Sequence, residues 1–144
     1  MAAESFIDSG IIIHAYDTDA GRKREIAKAI LLGGWQHPGT VAISVQVLLE
    51  FFVTATRRGI ESTTVHQIIT DLSRWPVIDN TVERFGHGLA IRQRWQVSLW
   101  DSMILSAAHA SGATKLITED LNHGEDYGGV RAVNPFHDSN CDRS

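Results

Sequence analysis

At 144 residues, 43% hydrophobic and 21% charged, the chain has the size and composition of one ordinary globular domain with a real core. No apolar run approaches the roughly 20 residues of a membrane helix, and the opening MAAESFIDSG carries Glu4 and Asp8 where a signal peptide would be basic and then apolar. The net charge of −4 argues mildly against a nonspecific nucleic-acid binder, although acids gathered around one cation would leave the remaining surface closer to neutral.

Ser5–Ile7 reads as a first strand. Ile11–Tyr16 reads better as a helix than as more strand, because Ser9-Gly10 would weaken a strand at its middle. A helix is expected over 21–33, closed by Gly33-Gly34, and a short strand at Val41–Ile43. A long helix from Ser44 to Arg58 follows, with Gly59 as its stop. Another helix covers about 62–74, capped by Ser62-Thr63-Thr64, and Pro76-Val77-Ile78 makes a strand. Asn80 with Glu83 resembles a capping box that opens a helix to about Trp95, loosened by Gly86 and Gly88. WDSMILSAAHASG reads as a buried helix capped at or near Asp101 and ended by Gly112; Thr114–Thr118 and Val130–Val133 are the last strands. The clusters Arg22-Lys23-Arg24, Arg57-Arg58, and Arg92 with Arg94 are equally well read as solvated helix faces. Residues 1–136 are expected to form one domain and 137–144 a disordered tail. The single cysteine, Cys141, excludes an internal disulfide framework and fits a reducing, cytoplasmic setting. Strands alternating with helices imply an α/β fold with a mostly parallel sheet.

Four acids punctuate this pattern. Asp8 directly follows the first strand, between Phe6-Ile7 and Ile11-Ile12-Ile13, where a lone buried carboxylate is costly unless it is paired, hydrogen-bonded or metal-bound. Asp120 follows the strand KLIT. If these two strands are neighbours, both acids reach the crevice beyond the strand carboxyl ends, where α/β sheets bind ligands. Asp101 opens its helix, where capping is the ordinary role of an aspartate; Trp100 before it and a buried helix behind it favour a site. On a helical wheel Val45, Leu48, Leu49 and Phe52 form the expected core stripe, with Glu50 roughly opposite. Glu50 shares a narrow polar strip with Gln46, Thr54 and Arg57, the kind of strip that lines a cleft.

Two unit charges about 4 Å apart repel by roughly 4 kcal/mol at an effective dielectric of 20. Carboxylates sharing one cleft therefore raise their pKa values or hold a hard cation. An oxygen-only donor set points to Mg²⁺ or Mn²⁺ over zinc, and such a crevice suits phosphoryl chemistry. The seven histidines show no metal-ligand spacing; His123, in the loop after Asp120, is the most interesting of them. No Gly-rich phosphate loop, nucleophile elbow or H-E-x-x-H motif competes with this reading.

The order of FIDSG, SVQVLLEFFVTATRRG, LWDSMILSAAHASGATKLITEDLNHG and VRAVNPF resembles the PIN-domain nucleases, specifically the VapC-type toxins of toxin–antitoxin pairs, from residue 5 to 136. The resemblance implies a five-stranded parallel sheet of order 3-2-1-4-5 with helices on both faces. It implies that Asp8, Glu50, Asp101 and Asp120 hold Mg²⁺ or Mn²⁺ and hydrolyse RNA. Ser9, Thr118 and Asn122 match positions that support these acids, and Arg57 could meet the RNA backbone. A small antitoxin partner and a homodimer are also implied. Gly10 stands where the family commonly has Asn, which puts the rigidity of the site in question. A PIN nuclease of RNA maturation or of structured DNA, and a catalytically silent PIN binding module, are the alternatives.

Overall fold

The computed structural model describes residues 2–137, so the expected tail at 137–144, Cys141 included, lies outside the described residues except for His137. Five strands, β1 (Ser5–Ile7), β2 (Val41–Ser44), β3 (Val77–Ile78), β4 (Lys115–Ile117) and β5 (Arg131–Val133), pair in parallel in the order β3-β2-β1-β4-β5. The expected α/β class and strand order are therefore observed. Phe6 lies opposite Ala42 on one side and Leu116 on the other, and Leu116 opposite Ala132. All four are fully buried, as strands covered on both faces require. The chain winds from β1 out to β3, then restarts at β4 on the far side of β1. Its winding direction reverses between β1 and β4, and the crevice opens there. Two hydrogen bonds carry the ladder past the strand ends: Asp8 N–H donates to Ile117 O at 3.0 Å, and Thr118 N–H to Val133 O at 3.0 Å.

Six helices flank the sheet: α1 (Ser9–Tyr16), α2 (Arg22–Gln36), α3 (Val45–Arg57), α4 (Ser62–Leu72), α5 (Val82–Trp95) and α6 (Leu99–Ala110). Several boundaries differ from the sequence reading. Gly33-Gly34 does not close α2, which runs on to Gln36. Gly34 serves packing instead: a Cβ there would lie 2.7 Å from the Trp75 ring, so only glycine lets α2 approach it. The cap of α4 is Glu61 rather than the Ser62-Thr63-Thr64 run; its side chain accepts no backbone N–H of the helix but takes the Thr63 hydroxyl at 2.7 Å. Thr81, not Asn80, caps α5, its hydroxyl accepting from Arg84 N–H at 3.1 Å. Ser98 caps α6 by accepting from Asp101 N–H at 3.0 Å, which places Asp101 inside the first turn. From Ser102 to Ala108 every residue of α6 is buried, as its composition implied.

Candidate metal and substrate site

Asp8 is the N-cap of α1 and is 5% exposed at the end of β1. Its Oδ1 accepts from Ser9 N–H at 2.7 Å and its Oδ2 from the Thr118 hydroxyl at 2.8 Å. Thr118, itself 1% exposed, also accepts from Asp120 N–H at 3.1 Å. One buried hydroxyl thus spans β1 and β4 and holds two of the acids in register. Burial pushes the Asp8 carboxyl up to about 7; the bonds from Thr118 and Ser9 oppose that rise, and the charges of Asp120 and Glu50 add to it.

The α3 stripe expected from the helical wheel is misplaced. Val47, Phe51 and Ala55 are the buried apolar residues, whereas Leu49 is 59% and Phe52 37% exposed. A helix with apolar residues on most sides gives several stripes of similar weight, and packing against β2 and α1 selects among them. Gln46 and Glu50 flank the true stripe. Glu50 Oε1 accepts from the Ser9 hydroxyl at 3.2 Å, and Glu50 Oε2 from Gln46 Nε2 at 3.3 Å. Gln46, 7% exposed, also donates to Trp100 O at 3.2 Å, tying α3 to the first turn of α6.

Asp101 follows Trp100. Burial raises its pKa, its bond with Ser98 opposes the rise, and the charge of Asp120 adds to it. A cavity of about 500 Å³ is lined by Ser9, Gln46, Glu50, Trp100 and Asp120, with Leu49 and Val53 as an apolar wall. A second cavity, about 300 Å³, holds Asp101, Asp120 and Asn122. Asp120 is the ridge common to both. The Asn122 side chain donates to Glu125 Oε2 at 3.2 Å, and both residues line that second cavity. Arg57 is exposed at the end of α3 and lines neither cavity. His123 accepts from Asn134 N–H at 3.0 Å and stacks on His137, a structural role.

Among the described residues, no three Asp, Glu, His or Cys side chains stand close enough to grip an ion as a ready-made cage. The donors nevertheless fit a hard cation. They are all carboxylates, and Asp120 adds its charge to the burial that raises both Asp8 and Asp101. Mg²⁺ keeps several of its waters and takes one or two carboxylates directly, so it needs no tight protein cage.

One part of this region escaped the sequence reading. Glu119, between Thr118 and Asp120, accepts from His14 Nε2 at 2.5 Å and from Lys23 Nζ at 2.8 Å. Burial alone would raise its pKa, but the bonds and charges of Lys23 and His14 bring it below the ordinary value. The loop after β4 is thereby tied to α1 and α2. No local pattern announces this clamp, because its partners lie 105 and 96 residues away in the chain. The clamp does not require glycine at position 10, where a Cβ would make only an ordinary contact with Glu119 Oε1, at 3.9 Å.

The profile of the PIN domain matches residues 5–125. Curated protein sequences give no significant match. Among solved structures, a toxin–antitoxin complex from Klebsiella pneumoniae is 26% identical, with a TM-score of 0.66, covering 92% of this chain and 98% of that one. DNA-bound VapBC from Salmonella typhimurium is 20% identical with a TM-score of 0.67, covering 92% and 98% of the two chains. Mycobacterium tuberculosis VapC20, described as a sarcin–ricin loop cleaving toxin, is 18% identical with a TM-score of 0.62, covering 78% and 87%.

Proposed function

The chain belongs to the PIN domain family, and on that premise we propose that it is a metal-dependent endoribonuclease, the toxin of a toxin–antitoxin pair. The observation that carries this is one run of hydrogen bonds threading four elements. It starts at Trp100 O, beside Asp101, and passes through Gln46, Glu50, Ser9, Asp8 and Thr118 to Asp120. A scaffold that needed these acids only as helix caps would not collect them beyond the carboxyl ends of its inner strands. The toxin setting is supported by the Klebsiella neighbour, which is itself a toxin–antitoxin complex. The choice of RNA follows VapC20, the neighbour described as cleaving an RNA loop.

In this reading Asp8, Glu50, Asp101 and Asp120 hold Mg²⁺ or Mn²⁺, which when bound supplies Lewis acidity for attack of water on a phosphodiester. Thr118 and Ser9 fix the carboxylates so that little reorganisation accompanies reaction. One of these carboxylates takes a proton from the attacking water. Arg57 approaches the RNA backbone beyond the cavity. The partners are a small antitoxin, whose peptide crosses the acidic cleft, and a second copy of the chain. The exposed apolar row Val82, Phe85 and Leu89 on α5 gives such a copy a face to cover. No helix among the described residues is long and apolar enough to cross a membrane.

The test is cleavage of total cellular RNA by purified protein, stripped of any co-purifying partner, in Mg²⁺ and in Mn²⁺. Discrete fragments that disappear with EDTA and with Asp101→Asn are expected. Cleavage that survives either control overturns the assignment of the site, and no cleavage by metal-loaded protein overturns the nuclease reading.

A further inference from the structure

Trp100 is 66% exposed, although tryptophan is a residue that folding normally covers. It stands on the rim of the cavity that holds Glu50 and Asp120. Its backbone is fixed by the bond from Gln46 and its place by the first turn of α6. Leu49, 59% exposed, and Val53, 48% exposed, follow each other at a spacing of four on α3 and continue the apolar wall. Arg57 is the next residue of that row, about 6 Å further along the helix axis.

Side-chain charge does not draw a polyanion to this cavity. The chain is net negative, and the cavity is lined by carboxylates with no Lys or Arg among them. Near it on α3, Arg58 is held by Asp17 at 3.1 Å, which leaves Arg57. A cation held by the carboxylates would answer the scissile phosphate, and the hold on the flanking nucleotides falls to a term that does not depend on phosphate charge, which stacking of a base on the exposed Trp100 ring supplies. A base can stack on protein only when it has left its own helix, so the cavity selects a single-stranded segment.

We infer that Trp100 is the platform on which a nucleobase next to the scissile phosphate stacks, with Leu49 and Val53 as the adjoining wall and Arg57 as the contact to the following phosphate. The inference rests on the ribonuclease reading and adds to it the residue that seats the base beside the cut. Trp100 accordingly sets substrate binding and the choice of cleavage site, and it leaves the chemical step alone.

The experiment uses the shortest synthetic RNA that spans a cut mapped in total cellular RNA, offered single-stranded and annealed to its complement. Trp100→Ala should raise KM about tenfold with kcat nearly unchanged, and Trp100→Phe should restore most of the loss. The annealed RNA should be cut at least about tenfold more slowly, because its bases are withheld. In a cleavage-deficient Asp101→Asn background, the single strand should quench tryptophan fluorescence, and Trp100→Phe should abolish that quenching. The KM should also change little with salt, whereas a site built on many phosphate contacts loses affinity steeply. Cleavage by Trp100→Ala with an unchanged KM overturns this inference while leaving the nuclease reading intact. So does a change in sedimentation mass on that substitution, which would assign Trp100 to a contact between copies. Wild-type protein that neither cuts nor is quenched overturns both readings.

Discussion

Asp8 is the residue at which stability and function pull apart. Its carboxyl, buried and facing the charges of Asp120 and Glu50, sits near pH 7, so the folded chain is strained whenever that group is ionised without a counter-charge. Asp8→Asn should therefore raise the melting temperature of EDTA-treated protein by about 5 °C at pH 8, while abolishing cleavage. Thermal denaturation of the two proteins side by side checks the first half, and a variant that melts lower would mean that the Ser9 and Thr118 bonds outweigh the repulsion. Thr118 gives the converse case. Its hydroxyl donates to Asp8 in a buried bond and accepts from Asp120 N–H in a part-buried one. Thr118→Val keeps the volume but leaves the buried Asp8 Oδ2 without its partner, a loss of about 1–3 kcal/mol, and releases the Asp120 N–H from its anchor. Activity should fall by about one to two orders of magnitude, and Thr118→Ser should retain most of it. Equal losses in the two variants would assign the role to the methyl group instead.

Among the elements, the segment after β4 has the most to do and the least regular structure to do it with. Thr118 anchors it from inside, and Glu119 anchors it outside through His14 of α1 and Lys23 of α2. Lys23 also lies over the Phe136 ring, 5.2 Å from its centre, while His14 meets the same ring edge-on. With Lys23 39% exposed, the ion pair contributes about 1 kcal/mol of stability or less. Its larger effect should be on Asp120, one residue on. Glu119→Ala is expected to lower kcat about tenfold with a shift in melting temperature of only a few degrees, and Glu119→Gln, which still accepts from His14, to recover part of the rate. A melting shift without a rate change would make the clamp purely structural.

This clamp also marks a limit of what the sequence displays. Strand ends, the Asp8 turn and the buried character of α6 are local patterns and were legible, as was the crevice between β1 and β4 once those strands were neighbours. The face of α3 was not, because Val45, Leu48, Leu49 and Phe52 compete on equal terms with Val47, Phe51 and Ala55 until the sheet selects one stripe. Gly34 misled for a related reason: its lack of a side chain answers to Trp75, some 40 residues on, and not to the end of its own helix. Gly10 departs from the common Asn, yet α1 starts regularly at Ser9, and the long-range bonds of Glu119 hold the neighbouring loop without an amide at that position.

At the scale of the whole molecule, the four acids belong to four separate pieces of chain: the start of α1, the middle of α3, the first turn of α6 and the loop after β4. Bringing them together stores repulsion at the point where the sheet changes its winding direction. A cation shared among them would bind the folded chain and not the unfolded one, in which the same acids are scattered over more than a hundred residues. Such a ligand at a hundred times its Kd stabilises by about 2.7 kcal/mol. For a domain of this size that is about 5–10 °C in melting temperature. Titrating Mg²⁺ or Mn²⁺ into EDTA-treated protein should therefore produce a saturable rise that EDTA reverses. Asp120→Ala should remove most of it, since Asp120 lines both cavities and opposes both Asp8 and Asp101. A distant acid such as Asp71, bonded to Gln67 on α4, serves as the control, and its replacement should leave the rise intact. A rise of the same size in every variant would mean that the cations act on the net charge of the surface. A rise lost only with the clustered acids would mean that the crevice itself is the binding site.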